Sequence, residues 1–247
     1  MEEVFSLVLC LCLLVATSDA SGDKPRLVFN SEGEFKLSVF ADLHYGEAEN
    51  KTWGPQQDVN STIVMEKMLF MESPHFVVYL GDQITGENIG SNATVYWSKV
   101  VQPCVITSTR WATIFGNHDD LSASGGTRKD LLSVDTKYTL SYSQFGPLNL
   151  HGLTNYYLLI FSTETAKTPS WILYMLDSGG GSYQELVYDD QIEWVVDTSS
   201  ELTAKYGDIP AIAFSHIPST GYQKDTLLTC VKALPMIPSL HKHRQTS

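Results

Sequence analysis

A chain of 247 residues with 43% apolar, 11% aromatic and 18% charged side chains has the makeup of a folded globular protein, which excludes extensive disorder. Its formal charge of -12 disfavours nucleic-acid and anionic-membrane partners, because phosphate surfaces reward clustered Lys and Arg. An acidic chain that handled phosphate would need positive charge from elsewhere, and bound cations can supply it.

The chain opens MEEVFSLVLCLCLLVATSDASG, an apolar run from Val4 to Ala16 followed by the small residues Ser18 and Ala20. This pattern predicts a secretory signal over residues 1–20, cleaved after Ala20, although its start is acidic. The run is too short to span a bilayer and no later stretch approaches that length, so stable membrane insertion is not expected. Cleavage removes Glu2, Glu3 and Asp19 and leaves a net charge of -9. Cys10 and Cys12 leave as well, and Cys104 and Cys230 alone make neither a disulfide framework nor a zinc knuckle. Acceptor triplets for glycosylation at Asn50, Asn60 and Asn92 agree with a secretory route ending in an extracellular or vacuolar location.

Residues 21–34 read as a polar lead-in. From Phe35 onward, short apolar runs alternate with amphipathic stretches: FKLSVFADLH, STIVMEKMLFME, HFVVYLGDQ, TVYWSKVV, WATIFGNHD, TNYYLLIFS, WILYMLDS, DDQIEWVVD and PAIAFSHIP. Strands alternating with helices predict one α/β domain over residues 35–220 with a largely buried sheet. Met65, Met68, Phe70 and Met71 fit the buried face of a helix starting near Asn60. His75 before a strand and His151 in a loop read as surface or capping residues. Residues 221–247 lose the rhythm and form an atypical tail.

Five of the apolar runs end in polar, potentially ligating residues: Asp42 and His44, Asp82, Asn117 with His118 and Asp119, Asp177, and His216. The carboxyl ends of strands in open α/β sheets are where ligands sit, so these tips can converge. Asp42 and His44 are two apart, so on a strand leaving its sheet both can face one cation. Asp82 follows Gly81, and a carboxylate there can bridge two cations. Asn117 offers an amide oxygen and His216 a ring nitrogen, and mixed O/N ligation suits Fe, Mn or Zn better than Ca or Mg. Asp177 reads equally as a residue behind the ligands or as a turn residue.

The order Asp-x-His, Gly-Asp, Gly-Asn-His-Asp and a later strand-end His resembles the calcineurin-like metallophosphoesterases. FADLHYG, VVYLGDQITGEN and GNHDD are most similar to the purple-acid-phosphatase-like branch whose plant members are often named probable inactive. The resemblance runs from about Phe35 to His216. It implies a four-layer α/β/β/α sandwich with two mixed sheets, here without its last strands, holding two metal ions roughly 3.5–4 Å apart. One metal would take Asp42, His44 and Asp82, the other Asp82, Asn117 and His216. His118 would stand beside the phosphate and protonate or stabilise the leaving group, with Asp119 accepting its other ring N–H. The activity implied is hydrolysis of a phosphate ester by in-line attack of a metal-bound hydroxide.

Two departures accompany the resemblance. Where the purple enzymes carry Asp-x-Gly and a metal-binding Tyr, this sequence has His44 and Thr85, so no purple colour is expected. The family's closing Gly-His-x-His is also not found; His241-Lys242-His243 follows Leu240 on a basic tail, reads as a solvated end and is not assigned as ligands. These departures predict a truncated chain whose authentic sequence stops shortly after His216. The alternative to a working phosphoesterase is therefore a catalytically impaired or inactive protein of the same fold.

Overall fold

The computed structural model describes residues 24–120 and 126–219, so the leader, Cys230, His241 and His243 lie outside the described residues. Strands β2 (Leu37–Phe40), β3 (Phe76–Leu80) and β4 (Arg110–Ile114) form a parallel sheet in that order. Parallel neighbours need crossovers, and α1 (Trp53–Glu72) and α2 (Ala93–Ile106) supply them. The central strand reads FVVYL, and its first four residues are wholly buried, as a strand covered on both faces should be.

Strands β1 (Leu27–Val28), β5 (Tyr156–Phe161), β6 (Pro169–Leu176) and β7 (Ala211–Ser215) form the second sheet, ordered β1-β5-β6-β7. This sheet is mixed, with β5 antiparallel to β6 and the other pairs parallel. The first sheet, expected to be mixed as well, is parallel throughout its described strands, because every link within it is a helical crossover.

Alternate residues of β3 serve opposite sides of its sheet. Val77 and Tyr79 join Met65, Leu69, Trp97 and Leu131 in a core beneath α1, α2 and α3 (Arg128–Asp135). Phe76 and Val78 join Ala112, Ile114, Leu158 and Leu173 in a second core between the sheets. A third and smaller core sets Ile172 and Tyr174 of β6 against Leu202 of α4 (Asp189–Tyr206). Three cores separating four layers give the α/β/β/α sandwich. Among the described residues no helix is long and apolar enough to cross a membrane.

Helix α1 departs from its expected form. It starts at Trp53 rather than near Asn60, and of its four expected core residues only Met65 is buried, while Met68, Phe70 and Met71 are exposed. Apolar side chains surround this helix, and the sheet can cover only the stripe that includes Met65 and Leu69. Ser73 ends it in a left-handed conformation, donating its N–H to the Leu69 carbonyl just before Pro74. Helix α3 and the two-residue β1 were not foreseen. The start of α3 is fixed by Thr127 and Asp130, each side chain accepting from the other's backbone N–H.

Candidate metal centre

Parallel alignment places the carboxyl ends of β2, β3 and β4 side by side, and the chain leaving each strand carries part of the site. Pairing continues past the strands, with Asp42 N–H on the Gly81 carbonyl at 3.1 Å and His44 N–H on the Asp82 carbonyl at 3.0 Å. Asp42, His44 and Asp82 have φ of 55°, 49° and 50°. This left-handed region costs a non-glycine residue about 1 kcal/mol or more, and such strain collects at ligand sites. The expected extended Asp-x-His geometry is therefore replaced by two left-handed residues. Two glycines let the strand exits close in. A Cβ on Gly81 would stand 2.7 Å from the His216 ring, and one on Gly116 would stand 2.2 Å from Asp82 Oδ1.

Asp82 is 3% exposed and sits at the centre. Its Oδ1 accepts from the His118 N–H at 2.7 Å, and its Oδ2 lies 3.3 Å from His216 Nε2 and 3.8 Å from His44 Nε2. Asp42, Asp82 and His216 each offer one ligand atom within 4.8 Å of the others. Asn117 Oδ1 is 3.1 Å from His216 Nε2. His216, arriving from β7 of the other sheet, donates Nδ1–H to the Leu80 carbonyl at 2.9 Å, which turns the Nε2 lone pair inward. With Nε2 unprotonated, an imidazole lone pair, a carboxylate and an amide oxygen converge there. Such a set of acceptors fits a cation. His44 is aimed likewise, its Nδ1 meeting Thr85 Oγ1 at 3.1 Å.

Where no cation stands, a proton on His216 meets the same crowding. Burial would raise the Asp82 carboxyl, but its bonds to His216 and the His118 N–H prevail and hold it below the ordinary value. Burial disfavours the His216 imidazolium, yet the Asp82 carboxylate outweighs this and raises its pKa. His118 is raised in the same way, with Glu87 outweighing the effect of burial.

Asp119 does not reach the His118 ring. It is fully buried and its carboxylate accepts from the backbone N–H groups of Asp82, Gln83, Ile84 and Gly116 at 2.7–3.1 Å, so it ties the β3 exit to the β4 exit. Burial pushes its carboxyl up to about 6 against those donors. The ring is held instead by Glu87, whose Oε1 lies 2.7 Å from His118 Nδ1. Glu87 stands five residues beyond Asp82 in the quoted VVYLGDQITGEN stretch, but its spacing alone gave it no role. Asp177, left open by the sequence, is buried against Arg128 behind the site. His75 accepts from Lys36 N–H through Nδ1 at 2.8 Å, a connecting role away from the site. The exposed His151 faces Asp190 at 2.9 Å. Asn50, Asn60 and Asn92 are all exposed, Asn60 within α1.

The family model described as calcineurin-like phosphoesterase matches residues 35–236. The chain is 29% identical over 226 residues to Phosphatase DCR2 of Saccharomyces cerevisiae, covering 84% of this chain and 39% of that protein. It is 28% identical over 247 residues to the probable inactive purple acid phosphatase 29 of Arabidopsis thaliana, covering 87% of this chain and 62% of that one. It thus spans between two fifths and about three fifths of these relatives' lengths. A crystal structure of a dimetal phosphatase from Danio rerio aligns at a TM-score of 0.49 and 15% identity, over 74% of this chain and 70% of that one.

Proposed function

Because the chain belongs to the calcineurin-like phosphoesterase family, we propose that it hydrolyses phosphate esters at a two-cation centre built on Asp82. Asp42 and His44 would hold one cation with Asp82, and Asn117 and His216 the other. Iron, manganese or zinc suits this donor set. When bound, the cations supply charge for the phosphate oxygens and lower the pKa of water. The chain's own residues supply positioning and a proton. With Nδ1 fixed on Glu87, the His118 Nε2 would be left to face the leaving group, and its raised pKa favours the protonated, donating form. Asp119 holds the two ligand-bearing exits at a constant separation through four backbone N–H groups.

The convergence of the Asp82 carboxylate, the Asn117 amide oxygen and His216 Nε2 carries this reading. Metal content per purified chain, measured alongside p-nitrophenyl phosphate hydrolysis before and after chelation, tests it. Near two metals per chain and activity restored by Mn, Zn or Fe are expected. A chain with no metal and no hydrolysis in any of them would overturn it.

A second reading, a cation-holding fold without turnover, is favoured by the donor count. Each position meets three protein donors among the described residues, and two bound metals without hydrolysis would select this reading. For location, we place the chain in the secretory route on the strength of its leader and its three exposed acceptor Asn residues. Expressed in a eukaryotic secretory host, it should gain mobility on gels after endoglycosidase treatment. An unprocessed product of unchanged mobility would refute that.

A further inference from the structure

Arg128, the first residue of α3, is 1% exposed, and among the described residues its hydrogen bonds go to Gly116, Asp120, Asp177, Gly179 and Gly180. Its Nε donates to Asp120 Oδ1 at 3.0 Å and its Nη1 to Asp177 Oδ1. Its Nη2 lies 2.8, 3.0 and 2.7 Å from the carbonyl oxygens of Gly116, Gly179 and Gly180. Two carboxylates face the buried guanidinium, and its planar fork joins two chain segments, 116–120 and 177–180.

Those segments meet on one side of the metal centre. Gly116 immediately precedes Asn117. Gly180 presses so closely on Asn117 that an added Cβ would stand 2.2 Å from the Asn117 Cβ, and its φ of +86° also requires glycine. The same loop carries Ser178, whose Oγ accepts from the backbone N–H groups of His216 at 3.1 Å and Ile217 at 2.8 Å. Asp177 roots the loop by accepting from Leu153 N–H at 2.7 Å. One guanidinium therefore ties down the loop 177–181 that backs both Asn117 and His216. The backbone N–H groups of Asp42 and His44 and the His44 ring make their hydrogen bonds instead with Gly81, Asp82 and Thr85.

We infer that Arg128 and the loop 177–181 are a positioning assembly for the Asn117–His216 cation alone, setting its affinity independently of the Asp42–His44 cation. The inference rests on the two-cation reading above. The unsubstituted 247-residue chain, Arg128→Lys and Ser178→Ala would each be titrated with Mn(II), with bound metal counted and electron paramagnetic resonance recorded. The unsubstituted chain should bind two ions and show an exchange-coupled pair. In either variant the step that fills the Asn117–His216 position should shift ~10–100-fold, as for lost partners of a metal ligand, leaving one ion with an isolated-Mn(II) signal and the other step unmoved. Lys keeps the charge but cannot span the fork, so charge alone should not rescue. Ser178→Ala keeps the guanidinium network, so it answers the question even if Arg128→Lys fails to fold. If the unsubstituted chain shows no coupled pair, the two-cation reading falls, and the inference with it. A coupled pair retained at unchanged affinity in Ser178→Ala, or both ions lost together, would overturn the inference and leave the reading standing.

Discussion

The two flanks of Asp82 are built differently. On one, Asp42 is exposed and His44 half-buried, both on left-handed backbone, with the Thr85 hydroxyl as the imidazole's hydrogen-bond partner. On the other, Asn117 is pressed by Gly180, and His216 is fixed through its ring by Leu80 and through its backbone by Ser178. A ligand already held in place gives up little freedom on binding, whereas a loosely held one must be ordered at that moment. Affinity at a shared centre thus depends on what stands behind each donor as well as on the donor itself. We expect the Asp42–His44 position to exchange its cation faster.

The largest expected effects come from residues that belong to neither flank. His118→Ala should slow turnover by ~10²–10⁴-fold, the range for a lost proton donor, while metal analysis still finds both positions filled. Loss of metal would show that His118 is part of a flank after all. Asp82→Asn should cut activity at least ~100-fold, more than the ~10–100-fold seen for partners behind a ligand, and empty both positions together. One cation retained at unchanged affinity would mean the carboxylate is not shared. Glu87→Gln should lower turnover by ~10-fold or more, since it keeps the shape but removes the charge behind the His118 ring, with metal content constant. The smallest change sharpens the comparison most. Thr85→Val should weaken cation binding ~10-fold on the Asp42–His44 flank alone, measured by titration, as the counterpart of the Arg128 and Ser178 variants. Equal weakening of both positions would remove the distinction.

The strand tips were legible because parallel strands buried on both faces read as uninterrupted apolar runs, and a polar cluster at the end of such a run is conspicuous. HFVVYLGDQ and WATIFGNHD are of this kind, and β3 and all of β4 but Arg110 lie within them. The helix on Met65 was legible in kind but not in facing, because period alone does not say how wide a stripe the sheet will cover. Helix α3 has eight residues and β1 two, too short for a period to emerge, although Thr127 and Asp130 form a readable start signal. Glu87 and Arg128 were hidden for another reason. Their roles come from contacts across 31 residues to His118 and about 50 residues to the glycine loop, and spacing along a chain says nothing of those. Asp119 was misjudged because a carboxylate next to a histidine in sequence turns, once folded, toward the backbone N–H groups beneath it.

His216 follows directly on β7, which pairs with β6 alone among the described strands and leaves Ala211, Ile212 and Ala213 exposed. The least covered strand of the second sheet is thereby fastened at its end to a donor atom of the proposed metal centre. Occupancy of that centre and docking of β7 then form one linked equilibrium, in which a cation at a hundred times its dissociation constant adds about 2.7 kcal/mol to the docked state. The readout of that linkage is the amide protons of β7, which should exchange more slowly as cation is added, while those of the fully enclosed β3 report only global unfolding.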